Sequence, residues 1–252
     1  MPNWCSNTLT VFGETQQVLD FTEQAAKHQE VSAVDPVGQP IVFSLDRFVP
    51  CPEDLTNANE SAFATVGYQA FYPGDLDRRV AGKLDGIDTS PGVYLAAVLA
   101  SGGIDSVLKY HWVREAGIET QEELQEFLRQ KDPRYEEEGR QRASNFEKYG
   151  YGSWYDWSLA NWGTKWDVTC TEMDYLDNGD NTSSVTYHFE SAWSPPETAI
   201  DKMSQAAPDL TFRLHYQEEG VGFRGFKAWV GGNVTEEGSE DYAEEEGESE
   251  DE

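Results

Sequence analysis

Residues 168–230 hold the pattern that most restricts what this chain can fold into. Two runs, Val168 to Leu176 and Ser184 to Glu190, flank Asp177-Asn-Gly-Asp-Asn-Thr182, and Asn178-Gly179 is the dipeptide best suited to a tight hairpin. Ser194-Pro-Pro-Glu197 then combines an N-cap, an early proline and a glutamate three residues on, predicting a helix to about Ala206. From Leu210 to Gln217 the apolar Leu210, Phe212, Leu214 and Tyr216 alternate with Thr211, Arg213, His215 and Gln217, the period of a half-buried strand. Glu218-Glu-Gly-Val-Gly222 turns the chain into a further strand, Phe223 to Val230. At the other end, Thr8 to Phe12 alternates and stops at Gly13. Thr15 to Lys27 follows with Val18, Leu19, Phe21 and Ala25 at helical spacing. Together the two ends predict an α+β protein with a ferredoxin-like antiparallel sheet, of the split β-α-β kind.

Between them the period changes. Ile41 to Leu45 reads as a short strand, and Pro52 as the opening of a short helix. Val93 to Ala100 reads as a helix, as does the face carrying Ile104, Val107, Leu108 and Trp112, which ends at Gly117. Thr120-Gln-Glu-Glu123 is a capping box, and Asp132-Pro133 starts another helix that should end near Gly150. The organisation expected is a ferredoxin-like body from residues 1–52 and 150–234, a mainly helical insertion over 53–149, and a disordered acidic tail over 235–252.

Charge bounds the partners. The formal net charge is -29, and residues 235–252 hold eleven of the 47 acids and none of the 18 bases, so the rest of the chain is itself at -18. Nucleic-acid affinity rests on Lys and Arg displacing counterions, so nucleic acid is not an expected partner, even on the free face of a sheet. An anionic membrane is disfavoured for the same reason, and no apolar run reaches 18 residues. Three scattered cysteines, Cys5, Cys51 and Cys170, read as reduced thiols in a cytoplasmic protein.

Candidate site residues fall in two groups. Ser153 to Asp167 holds Trp154, Trp157, Trp162 and Trp166, four of eight tryptophans, with Asp156, Lys165 and Asp167 among them. These rings suit either a core corner or a cage for a methylated amine with Asp156 or Asp167 as counter-ion, the core being favoured. Ser153-Trp-Tyr-Asp156 reads as a capping box for a short helix that stops at Gly163. The second group is His188, Glu190, Arg213 and His215 on the polar side of the strands, where a His–Glu pair suits acid–base work. Cys170, His188 and His215 are a weak zinc set without paired spacing, so no metal and no cofactor are expected. Phosphate-loop, dinucleotide, nucleophile-elbow and zinc-protease motifs are absent from the sequence.

Four stretches share their wording with a known family. Pro2-Asn-Trp-Cys-Ser-Asn-Thr-Leu-Thr-Val-Phe-Gly13, Arg47-Phe-Val-Pro-Cys-Pro-Glu-Asp-Leu55, Trp157-Ser-Leu-Ala-Asn-Trp-Gly-Thr-Lys-Trp-Asp-Val168, and Phe189 to Ile200 with Ala207 to Phe212 resemble the YubB-like family of phage and plasmid proteins. The resemblance covers about residues 2–52 and 150–230. It implies a ferredoxin-like C-terminal domain and a mobile-element protein in a bacterial cytosol, and it carries no catalytic residues. The expected function is therefore non-enzymatic: an accessory protein that binds a host protein, with an acidic, DNA-mimic-like antagonist as one form. The alternative is a small-molecule binder or enzyme with its pocket at the Trp-rich 154–166 corner.

Overall fold

A computed structural model of the chain describes residues 3–26, 41–72 and 111–241, with all their side chains except those of Trp112 and Cys170. The chain divides into two compact units. One comprises Met1–Pro50 with Asn161–Glu252, the other Cys51–Ala160.

The first unit is an α+β ferredoxin-like domain. Its elements are β1 (Trp4–Glu14), α1 (Thr15–Ala25), β2 (Thr169–Asp177), β3 (Thr182–Ala192), α8 (Glu197–Ala206), β4 (Thr211–Glu218), β5 (Phe223–Val230) and β6 (Asn233–Asp241). The sheet order is β2-β3-β1-β4-β5-β6, every pairing antiparallel. The first four strands with α1 and α8 complete the β-α-β-β-α-β motif, and β5 and β6 extend it as a meander.

Burial follows the alternation. Cys5, Asn7, Leu9 and Val11 face the helices, whereas Trp4, Ser6, Thr8, Thr10 and Phe12 face away. Val18 and Phe21 of α1 and Ile200 and Met203 of α8 close over Val185, Tyr187, Phe212, Leu214 and Trp229. Phe21 stacks on Phe48 at 4.7 Å and Phe43 on Tyr187 at 4.8 Å. Each such buried side chain contributes about 1.5–3 kcal/mol of transfer free energy.

The second unit is helical: α2 (Glu53–Thr56), α3 (Ala62–Phe71), α4 (His111–Glu115), α5 (Gln121–Lys131), α6 (Arg134–Tyr149) and most of α7 (Trp154–Asn161). Thr120 and Glu123 form the capping box, and Leu124 and Leu128 turn inward on Val66, Ala70, Val113 and Tyr135. Helices α3 and α6 cross at glycines. A Cβ on Gly139 would meet the Gly67 carbonyl carbon at 2.5 Å, so the two backbones touch where any side chain would hold them apart.

Several expectations need correction. Residues 41–44 are not a strand: Val42 N–H donates to Thr171 Oγ1 (3.0 Å) and Leu45 N–H to Asp167 Oδ1 (2.7 Å), so side chains replace ladder partners, and a 3-10 turn follows at Leu45–Arg47. Helix α3 has no counterpart in the sequence reading, its Gly- and Ala-rich composition concealing a helix capped by Ser61. Residues 235–241 are strand rather than tail. Gly231 (φ 58°) and Gly232 (φ 75°) make a two-residue hairpin that returns β6 onto β5. Ser194 does not cap α8, because its hydroxyl donates to Gly163 O (2.7 Å). Val93 to Ala100, the face from Ile104 to Leu108, and residues 242–252 lie outside the described residues.

Candidate functional site

The Trp-rich stretch divides between the two units. Trp154 and Trp157 lie on α7, Trp157 buried and Trp154 half-buried. Asp156 is also buried, with Oδ2 3.4 Å from Arg142 Nη2, while Arg142 Nη1 lies 3.3 Å from Glu60 Oε1. The Ser153 hydroxyl, at the start of this helix, donates to Glu60. Burial pushes the Asp156 carboxyl up to about 6; the Arg142 guanidinium opposes this and Glu60 adds to it. Asp156 thus belongs to an internal ion cluster and is no counter-ion for a bound amine.

Trp162 and Asp167 are structural parts of the sheet unit. The Trp162 indole donates to Val49 O (2.8 Å), and its own carbonyl accepts from Ala199 N–H (3.2 Å). Gly163, at φ 84°, makes the sharp exit from α7. Asp167 accepts from Ser44 Oγ (2.5 Å), Leu45 N–H (2.7 Å) and Val168 N–H (2.9 Å), fixing the loop before the 3-10 turn. Its carboxylate is occupied there, which removes the second counter-ion proposed for a cage.

Trp166 and Lys165 instead join two tryptophans that the sequence reading did not associate with them. Trp4, Trp166 and Trp193 are each about two-fifths exposed, with Trp166 6.3 Å from Trp4 and 6.4 Å from Trp193 between ring centres. Lys165 Nζ lies 4.3 Å from the central Trp166 ring and 4.8 Å from the Trp193 ring. The strand register brings the cluster together: Trp4 opens β1 opposite Ala192, the last residue of β3. The missing signal was this pairing of residues nearly two hundred apart, which no local motif reports.

Trp193 has a φ of 69°, in the left-handed region where a bulky side chain costs about 1–2 kcal/mol. Its surroundings impose that conformation. Trp193 N–H donates to Asn3 O (2.9 Å), Thr164 Oγ1 to Ala192 O (2.9 Å) and Ser191 Oγ to Ser194 O (2.7 Å). Strain of this kind collects where function asks for one particular presentation of a side chain.

The second group of predicted residues does share one face, the side of the sheet away from α1 and α8. Thr8 pairs with His188 on one side and His215 on the other, so these three side chains form a row across β3, β1 and β4. His188 Nδ1 is 3.3 Å from Thr8 Oγ1, and its Nε2 is 3.5 Å from Asp174 Oδ2 on β2. The carboxylate partner of His188 is therefore Asp174 and not Glu190, which lies two residues along β3 opposite Ser6 and Thr169. The order hydroxyl–imidazole–carboxylate has the outline of a relay, yet the central-strand N–H groups are committed to the ladder and do not converge on a developing oxyanion.

Arg213 Nη2 lies 3.0 Å from Glu236 Oε2, and Arg224 pairs with Glu240, both acids on β6. His215 sits 5.9 Å from the Phe226 ring beside an open cavity of about 670 Å³ lined by Ser6, Thr8, Arg224, Phe226 and Glu240 among others. Both edge strands are acidic, through Glu172, Asp174 and Asp177 on β2 and Glu236, Glu237, Glu240 and Asp241 on β6. Among the described residues no group of three or more His, Cys, Asp or Glu is placed to hold a metal ion. No helix among them is long and apolar enough to cross a membrane.

A family model agrees with the fold of the sheet unit. Residues 165–252 match the family model described as a ferredoxin-like domain in Api92-like protein. The match includes β6 and omits β1, the strand that pairs with both β3 and β4. No curated protein matches the chain. Among solved structures, the crystal structure of a protein api92 from Yersinia pseudotuberculosis is similar over 96% of this chain and 99% of that one, at 13% identity and a TM-score of 0.40.

Proposed function

We propose that this chain is a non-enzymatic binding protein that presents an acidic surface to a basic protein partner. The observation that supports this most directly is the pairing of Arg213 with Glu236 and Arg224 with Glu240. On a free sheet face these arginines would be the natural phosphate ligands. Carboxylates from β6 neutralise both, so the face offers acid where a nucleic-acid platform would offer base. A net charge of -29 adds long-range attraction for a basic partner and repulsion of phosphate. The resemblance of the sequence to phage and plasmid proteins supports a partner in a bacterial host cytosol, and a groove that normally holds DNA is the kind of basic surface such acids fit.

Affinity capture from bacterial lysate at low and at high salt tests the reading, with each captured protein identified and then assayed for loss of DNA binding as this chain is added. A basic protein retained at low salt, released at high salt and displaced from DNA is the expected result. Absence of any partner at both salts would refute it. Reversing Glu236 and Glu240 to lysine should abolish capture if the β6 carboxylates form the contact.

A further inference from the structure

We infer that the cluster of Trp4, Trp166 and Trp193 is a cation seat for arginine side chains of the partner, held in the free protein by the chain's own Lys165. The inference rests on the proposed function, since it specifies how a basic protein would be gripped. Three observations lead to it. The seat already binds a cation: Lys165 Nζ lies 4.3 Å and 4.8 Å over two indoles, within the range in which a ring's negative face attracts positive charge. The rings are exposed, each about two-fifths accessible, although a tryptophan cluster is ordinarily placed in a core. Finally, Trp193 is held in a left-handed backbone conformation by the hydrogen bonds around it, a strained presentation of an exposed ring.

Charge complementarity identifies the occupant. A second copy of the chain would bring like charge against like, whereas an arginine-rich segment is drawn to a chain at -29. Guanidinium is planar, weakly hydrated and stacks on indole better than ammonium does, so arginine displaces Lys165 more readily than a partner's lysine would. Trp4, 6.3 Å from Trp166, extends the platform for the next side chain. Lys165 then swings out to solvent on its flexible stem, and the cation count at the rings is unchanged.

The test is titration of the full chain with a short arginine-rich peptide and its lysine counterpart, at low and high salt. The arginine peptide should bind more tightly by about three-fold or more, and Trp166→Ala should weaken it by about three- to thirty-fold. Lys165→Ala should strengthen binding by vacating the seat. Lys131→Ala is the control for net charge, because it removes the same charge and another lysine–ring contact, over Phe127, in the helical unit. Trp193→Gly should bind weakly while unfolding at the native temperature or above, since glycine is at ease at that φ. If neither peptide binds at low salt, the acidic-binder reading fails and this inference with it. If the arginine peptide binds but Trp166→Ala and Trp193→Gly bind it as well as the native chain, or Lys131→Ala strengthens it as much as Lys165→Ala, the seat is refuted and the acidic-binder reading stands.

Discussion

The two units hold themselves together by different means. The sheet unit buries aromatic and aliphatic side chains between one face of the sheet and α1 and α8, with the exposed pairs of Arg213 and Arg224 to β6 on its other face. The helical unit has a smaller apolar cluster, two helices in backbone contact at Gly67 and Gly139, and a buried Arg142–Asp156 pair that the exposed Glu60 joins. Hydrophobic burial varies little with pH near neutrality, whereas a buried carboxylate couples stability directly to protons. The sheet unit is thus the rigid platform for the exposed indoles, and the helical unit is the one that solution conditions perturb.

The largest effect expected is in the sheet unit. Phe212→Ala removes a fully buried ring against Phe21 and should cost about 3–5 kcal/mol, measured by denaturant unfolding. Hydrogen exchange should show the loss across β1, β3 and β4 with the helical unit unchanged. Equal loss in both units would mean that they unfold as one and that the comparison does not hold.

Gly139→Ala comes next, at about 1–3 kcal/mol, because its Cβ meets backbone that cannot rotate away. Faster exchange should be confined to α3 and α6.

The pH response of Asp156 is smaller and opposite in sign to that of most carboxyls. Its folded pKa, pushed up to about 6 from the ordinary 3.8, means that the folded state holds the proton more tightly than the unfolded one. The stability so contributed is fully present below about pH 4 and is lost as pH rises through about 6. Asp54, Glu123, Asp132 and Glu136 are lowered by their hydrogen-bond partners and act the other way, but only at the acid end. Between about pH 7 and pH 5 the helical unit should therefore gain about 1 kcal/mol, read by hydrogen exchange in α6 and α7. Asp156→Asn should flatten that dependence; a gain that survives the substitution would assign it elsewhere.

Thr120→Ala, the smallest, removes the hydroxyl that accepts from Glu123 N–H and should cost about 0.5–1 kcal/mol at the start of α5 alone.

Much of this architecture was legible in local signals. The Asn178-Gly179 turn, the alternation from Leu210 to Gln217, the capping box at Thr120 and the stop at Gly150 each depend on a few adjacent residues, and each appears where its chemistry places it. Strand β6 was not: the acid content after Val234 reads as a solvated tail, and it concealed a strand turned back at Gly231-Gly232 whose carboxylates pair with Arg213 and Arg224 on the sheet face. Helix α3 was concealed for another reason. Gly67 is a poor helix residue by propensity, and only its contact with α6 explains its place there.

By itself, then, the sequence determined most elements of the sheet unit, the buried faces of β1 and β4 and the acidic charge, because periodicity, turn chemistry and charge are properties of neighbouring residues. The tertiary structure alone decided the fate of each candidate site residue. It turned Asp156 inward to Arg142, spent Asp167 on a loop, matched His188 with Asp174 and brought Trp4 and Trp193 to Trp166 around Lys165. Those contacts join residues up to 162 positions apart. They follow from strand order and register, which a pattern of neighbours leaves open.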